Sequence, residues 1–227
     1  MKLSLAYSID EEILPIMPII NGEVLKGIEI EPKKVSLDEI KFNYNNYDIF
    51  YVQLPLFLYI KNVKVISNGA YVIEKLGSED SLTSSSSVCV ESTSSTEFYL
   101  LKILLGYKGI PRKNGNCIKL VHDLDNISCL WREQCGNLPI IISLIGSTKL
   151  SDEEMSILKV VVRESASLQE KRNLIKAYSK ELGLKGRDAL NCFFQLCKEK
   201  NICNEISYDI LWTLLLFFIN LKTLTHR

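Results

Sequence analysis

The sequence predicts an α/β fold, a mainly parallel sheet with helices laid on its faces. Three observations carry that expectation. Strand-like and helix-like patterns alternate through the first third of the chain. Two runs, YDIFYV at Tyr47 to Val52 and LPIIISLI at Leu138 to Ile145, have the near-continuous apolar character of strands covered on both sides. Helix-start signals of the capping-box form stand at Ser36-Leu37-Asp38-Glu39 and Ser151-Asp152-Glu153-Glu154.

Taken in order, KLSLAYS at Lys2 to Ser8 is a first strand. Asp10-Glu11-Glu12 begins a helical segment to Ile20 that Pro15 and Pro18 make short or irregular. A half-exposed strand is expected over Gly27 to Glu31, then a helix from Ser36 to about Tyr44. The buried strand at Tyr47 leads through Gln53-Leu54-Pro55 into a short helix, and Val63 to Ile73 holds two strands broken at Ser67-Asn68-Gly69. Gly77 to Ser87 is a polar connector. After a strand–helix pair at Val88 to Gly106 come a turn at Pro111 to Asn116, a strand from Cys117 to His122, and a short segment from Asn126 to Gln134 that Gly136 ends. From Ser151 the chain is helical. One helix carries Met155, Leu158, Val161 and Val162; a second carries Leu168, Leu174, Ile175, Tyr178 and Leu182 and stops at Gly183; a third carries Leu190, Phe193, Phe194 and Cys197; a last runs from Tyr208 to about Leu221.

Composition narrows the function. The chain has 227 residues, 47% hydrophobic and 24% charged, an ordinary globular balance. Lys plus Arg and Asp plus Glu are 27 each, and no basic face stands out, which argues against nucleic acid as a partner. The start meets acids at once and does not read as a signal peptide, and the run Ile210 to Ile219 falls short of the roughly 20 residues a membrane span needs. A cytoplasmic protein without a membrane partner is expected. The seven cysteines form no CxxC pair and are an odd number, so buried free thiols are expected rather than a metal site, with a disulfide possible in a hyperthermophile. No GxGxxG or GxxxxGK[ST] loop is present, and no cofactor is expected.

The stretch VCVESTSSTEFYLLKILLG, Val88 to Gly106, carries the most chemistry. A β-branched run feeds an apolar helix through Ser92, Thr93, Ser94, Ser95 and Thr96. Hydroxyls beside the unpaired N–H groups of a first helical turn suit a carboxylate, while Ser94 or Ser95 acting only as a cap is the plainer alternative. Ser8, Gln53 and Asn68-Gly69 fall at strand ends, where ligands of open α/β sheets bind. The acids Asp10, Glu11 and Glu12 read as a solvated first helical turn, with a general acid or base at the cleft mouth as the alternative. His122, beside Asp123, is the candidate for acid–base work, with a hydroxyl such as Thr96 as its partner.

Several segments follow one family order: LAYS at Leu5 to Ser8, VISNGAYVIEKLG at Val65 to Gly77, SSTEFYLLKILL at Ser94 to Leu105, and HDLDNISCLWREQCGNLPIIIS at His122 to Ser143. With these the chain resembles the menaquinone-biosynthesis enzymes of the futalosine route, chorismate dehydratase and 1,4-dihydroxy-6-naphthoate synthase. The resemblance implies a two-lobed type II periplasmic-binding-protein-like fold used inside the cell, with C-terminal packing helices. It implies a lobe I of residues 1–77 plus 140–227 and a small lobe II of residues 78–139. Ser94 and Thr96 would hold a substrate carboxylate, with Ser8, Gln53 and Asn68 on the opposite wall. The chain departs from the family where Ile9-Asp10-Glu11-Glu12 replaces an Asn-bearing segment, at Glu97 in place of a second Ser, and in a second lobe trimmed to Lys108 to Val121 between its helix and the Asp-Leu motif. The resulting expectation is a clamshell binding a small carboxylate, either a divergent lyase or a binding or interaction protein that has lost the chemistry.

Overall fold

A computed structural model describes residues 1–204; the expected helix at Tyr208 to Leu221, the apolar run Ile210 to Ile219 and His226 lie outside the described residues. The larger sheet contains β1 (Lys2–Tyr7), β2 (Glu29–Lys34), β3 (Ile49–Gln53), β4 (Lys64–Val65), β5 (Tyr71–Ile73) and β10 (Ile140–Ser147), in the order β2-β1-β3-β10-β4 with β5 also on β10. A smaller sheet pairs β6 (Gly77–Ser78), β7 (Val88–Cys89), β8 (Pro111–Arg112) and β9 (Ile118–Val121) in the order β6-β9-β7-β8.

The larger sheet is mixed, which corrects the mainly parallel expectation. β1 runs parallel to β2 and β3, but β10 is antiparallel to β3, β4 and β5. The early strands arrive through helical crossovers, which force parallel pairing. β10 instead returns from the smaller sheet and enters from the other end. β4 and β5 lie one after the other along its far side, β4 against Gly146 and Ser147 and β5 against Ile140 to Ser143, where its register shifts between Ile141 and Ser143.

Alternating side chains of β3 and β10 feed two cores. Tyr51 and Ile145 pack with Leu5, Ile16, Met155, Leu158 and Val162 on one face. Phe50, Val52, Ile142 and Leu144 pack with Leu37, Leu101 and Phe193 on the other. The first face is covered by the 3-10 turn Asp10–Ile16, by α1 (Met17–Ile20) and by α5 (Asp152–Lys171). Beyond the second lie α2 (Leu37–Asn43), α3 (Thr96–Leu105) and α7 (Gly183–Glu199). The start signals hold: Ser36 accepts from Glu39 N–H, and Ser151 and Glu154 form a reciprocal capping box. α4 (Ser128–Cys135) ends at Gly136 with a φ of 65°.

Two expectations fail in the C-terminal half. Leu168 belongs to α5, and no second long helix follows it; the chain breaks at Asn173, whose φ is 59°, makes only the turn α6 (Ala177–Lys180), and Gly183 opens α7 instead of closing a helix. Leu182, apolar and at helical spacing, gives its N–H to Ser67 O at 3.0 Å, a long-range bond that holds the break. The free-thiol expectation also fails. Cys89–Cys117, Cys135–Cys192 and Cys197–Cys203 are disulfides, leaving Cys129 free. Separations of 28 and 57 residues for the first two pairs hide them from any local spacing rule.

Candidate functional site

The site is built where β1 and β3 end and α3 begins. After Tyr7 the chain turns sharply, and Glu12, three residues past the cap position Ile9, folds back on the strand end. Its Oε2 accepts from Ser8 N–H at 2.8 Å and Ile9 N–H at 3.1 Å, and its Oε1 accepts from the Ser143 hydroxyl at 2.7 Å. Glu12 is wholly buried, which corrects the reading of Asp10 to Glu12 as a solvated turn. Only Asp10, paired with Lys34, and Glu11 meet that description. Burial raises the Glu12 carboxyl to about 7 against its hydrogen bonds to Ser143, Ser8 and Ile9, with the charge of Glu97 adding to the rise.

Ser8, Gln53 and Thr96 are brought together. The Gln53 side chain reaches Ser8 Oγ at 3.4 Å through Nε2 and accepts from Thr96 N–H at 2.9 Å. The Thr96 hydroxyl donates to Ile142 O at 2.6 Å and accepts from Leu54 N–H at 3.0 Å. α3 is thereby keyed into the larger sheet between β3 and β10, and its first residue has no exposed surface. Ser95 is the cap, accepting from Phe98 N–H at 3.2 Å, and Gly106 closes the helix in the left-handed conformation with a φ of 59°. Ser94 stands aside from this chain: its hydroxyl accepts from Lys41 Nζ at 3.1 Å, while neighbouring Ser92 donates to Asp38 at 2.6 Å. Both bonds tie the connector to α2. Asn68 is also apart, donating to Lys180 O at 2.6 Å and so fixing α6.

His122 finds a hydroxyl partner, but it is Tyr71 and not Thr96. Tyr71 Oη lies 2.9 Å from His122 Nδ1, and His122 Nε2 lies 3.4 Å from Glu97 Oε1. Glu97 of α3 thus meets the imidazole at one nitrogen and Tyr71 of β5 at the other. Burial holds the Tyr71 phenol far above its ordinary range, and the charges of Glu11, Glu97 and Glu12 push it the same way, so the phenol keeps its proton. Tyr71 also lines a cavity of about 310 Å³ with Glu11, Pro15, Asn173, Lys176 and Ser179.

Three residues of this arrangement, Tyr71, Glu97 and Ser143, escaped the sequence reading as members of a site, and Glu12 reads there chiefly as solvated. Ser143 had a signal, a lone hydroxyl inside an apolar strand, and such a group needs a buried partner. Glu12 had one too, standing three residues after Ile9, just past the strand, as the closing acid of a capping box does. Among the described residues, no group of three or more His, Cys, Asp or Glu could hold a metal ion, and no helix is long and apolar enough to cross a membrane.

No protein-family model matches the chain, and no curated protein matches it by sequence. Solved structures do match its fold. A protein from Archaeoglobus fulgidus superposes with a TM-score of 0.73 at 15% identity, over 88% of this chain and 98% of that one. The ligand-binding component of an ABC-type import system from Staphylococcus aureus, solved with zinc bound, gives 0.59 at 10% identity, over 92% and 95%. A Candida albicans gene product, described as defining a new family with the generic periplasmic-binding-protein fold, gives 0.56 at 13% identity, over 94% of each chain. At these identities the likeness establishes the architecture, and this chain has the two-lobed type II periplasmic-binding-protein-like fold.

Proposed function

We propose that this protein is a clamshell that binds a small carboxylate between lobe I, residues 1–77 and 140–227, and lobe II, residues 78–139. The observation that carries the reading is the buried polar chain Thr96–Gln53–Ser8–Glu12–Ser143 at the carboxyl ends of β1 and β3. That is where open α/β sheets take their ligands. Parting the lobes frees the Thr96 N–H from the Gln53 amide and offers both, with the Ser8 hydroxyl beside Gln53, to an anion. A Glu12 carboxyl that keeps its proton to about pH 7 adds no charge against that anion. Carboxylate affinity therefore falls as the pH rises through 7.

Thermal-shift screening at pH 6 and pH 8 with chorismate, other small carboxylates, neutral analogues and amines tests this. Carboxylates should stabilise the chain, more so at pH 6, and Ser8→Ala should weaken the shift, since both Ser8 Oγ bonds are long at 3.4 Å and cost little fold stability. Stabilisation by amines alone would refute the carboxylate. A second reading, a lyase-type enzyme related to the menaquinone enzymes it resembles, is favoured by the Tyr71–His122–Glu97 contacts. Incubating a hit with the protein and following its mass reports turnover.

A further inference from the structure

Tyr71, His122 and Glu97 come from three separate elements, and the role already proposed for the carboxylate wall uses none of them. Tyr71 leaves β5 of the larger sheet, His122 follows β9 of the smaller one, and Glu97 stands in the first turn of α3. The Nε2 edge of the imidazole faces the Glu97 carboxylate at 3.4 Å, which places the ring proton on Nε2 and leaves Nδ1 as an acceptor. At 2.9 Å, that acceptor takes the Tyr71 hydroxyl proton. The phenol oxygen retains lone pairs for a third group, and Tyr71 borders the 310 Å³ cavity, a size within the ~300–1,000 Å³ of small-molecule pockets. The His122 side chain is 34% exposed, so a proton received there reaches water, whereas Glu97 at 14% is held against the ring. A hydroxyl, a base and an orienting carboxylate in sequence are the parts of an activated oxygen base.

We propose that Tyr71 is a catalytic residue that removes a proton from a carbon of a small molecule in this cavity, with His122 and Glu97 as its positioning residues and proton outlet. The substrate class is a compact molecule with an acidic C–H next to a bond that breaks in the same step. The carbon-bound proton passes to Tyr71 Oη while the phenol proton passes to His122 Nδ1. The C–H electron pair becomes a new π bond, and the leaving group departs with the electrons of its own bond. His122 then releases its extra proton to solvent, opposite the Glu97 carboxylate. No oxidant or cofactor enters. The proposal rests on the lyase-type reading and gives it a base.

The probe is 5-nitrobenzisoxazole, whose ring opens when C3–H is deprotonated: the C–H pair completes the nitrile and the N–O bond breaks to a coloured phenolate. The chain should turn it over above the buffer rate. Tyr71→Phe, which keeps the ring in place, should lower that rate by about 100-fold, as loss of a positioned base does. His122→Ala should lose it as well and recover it on adding imidazole, a rescue that a merely structural histidine does not give. No turnover by the unmodified chain, or turnover unchanged in Tyr71→Phe with a native urea transition, overturns the proposal. A carboxylate thermal shift that survives in Tyr71→Phe alongside absent turnover removes this base and leaves the binding role standing. Turnover without any carboxylate shift does the reverse.

Discussion

Replacing Glu12 with Gln should make the protein more stable at alkaline pH, although the substitution touches the centre of the candidate site. The Glu12 carboxyl is carried from 4.5 to about 7 by burial. At about 1.4 kcal/mol per tenfold change in proton affinity, the cost of ionising it in the folded chain is about 3 kcal/mol. The folded value lies above the unfolded one, so between pH 4.5 and 7 the folded chain holds the extra proton. Stability therefore falls as pH rises through that window, and the loss is complete above about pH 8. A Gln at this position is neutral throughout. Its carbonyl still accepts from Ser8 and Ile9 N–H, while its amide must find the Ser143 oxygen as acceptor, a trade worth about 1 kcal/mol against it. Urea unfolding from pH 4 to 8.5 should show the native chain losing about 3 kcal/mol and Glu12→Gln staying nearly flat, the curves crossing between about pH 5 and 6. Parallel curves, or a variant weaker than the native chain at pH 8.5, would mean that Glu12 is ionised in the folded protein and that its four contacts outweigh its burial.

Three further outcomes follow from the geometry. Thr96→Ala strands Leu54 N–H and Ile142 C=O in the interior and should cost about 2–4 kcal/mol in urea unfolding, whereas Thr96→Ser restores both bonds and most of the stability. Thiol titration of the unfolded, unreduced chain should find one reactive cysteine, Cys129, and seven after reduction; opening the 28-residue Cys89–Cys117 loop alone, by Cys89→Ser with Cys117→Ser, should cost about 3–4 kcal/mol in chain entropy. Gly69→Ala should destabilise by more than about 2 kcal/mol, because φ is +76° and the new Cβ meets Ile145 Cδ1 and Val162 Cγ1 at 2.7 Å; a transition within about 0.5 kcal/mol of native would contradict that packing.

What could be read in the amino-acid order was what is local. Ser36 and Ser151 announce helices because a hydroxyl and an acid three residues on satisfy the same turn, and both helices start there. The β10 run is apolar at nearly every position because helices cover both of its faces, and it is buried from Ile140 to Ser147. The direction of β10 was not legible, because a strand's own residues look alike whether it pairs parallel or antiparallel. Gly183 reads as a stop because left-handed glycines favour helix ends, but Leu182 N–H bonds to Ser67 O, more than a hundred residues earlier, and the glycine opens α7. Acids favour first helical turns, so from its neighbours alone Glu12 reads as solvated. Its burial depends on Ser143, at a sequence separation of 131. His122 was singled out from its own neighbours, but its hydroxyl and its carboxylate come from β5 and α3.

Three of the five residues expected to grip a ligand, Ser8, Gln53 and Thr96, grip each other, and that changes what binding must accomplish. Ser8, Gln53 and Thr96 were selected as donors facing a cleft, yet Thr96 spends its hydroxyl on Ile142 and its N–H on Gln53. Under the proposed binding role, the free chain already has its lobes drawn together by the groups a ligand needs. A ligand gains only the difference between its own contacts and those it displaces, and the open state's small population further weakens its apparent affinity. The same bonds that make α3 a stable part of the sheet therefore tune the ligand's grip, so removing one loosens closure and removes a donor at once. Tyr71 and His122 escape this conflict. Their mutual bond leaves the phenol oxygen with capacity for a further partner, and the cavity lies beside Tyr71 without any rearrangement of Thr96. Under the two proposals the halves of the site make different demands on the fold: the hydroxyl wall has to open before it binds, while the tyrosine wall needs no such rearrangement.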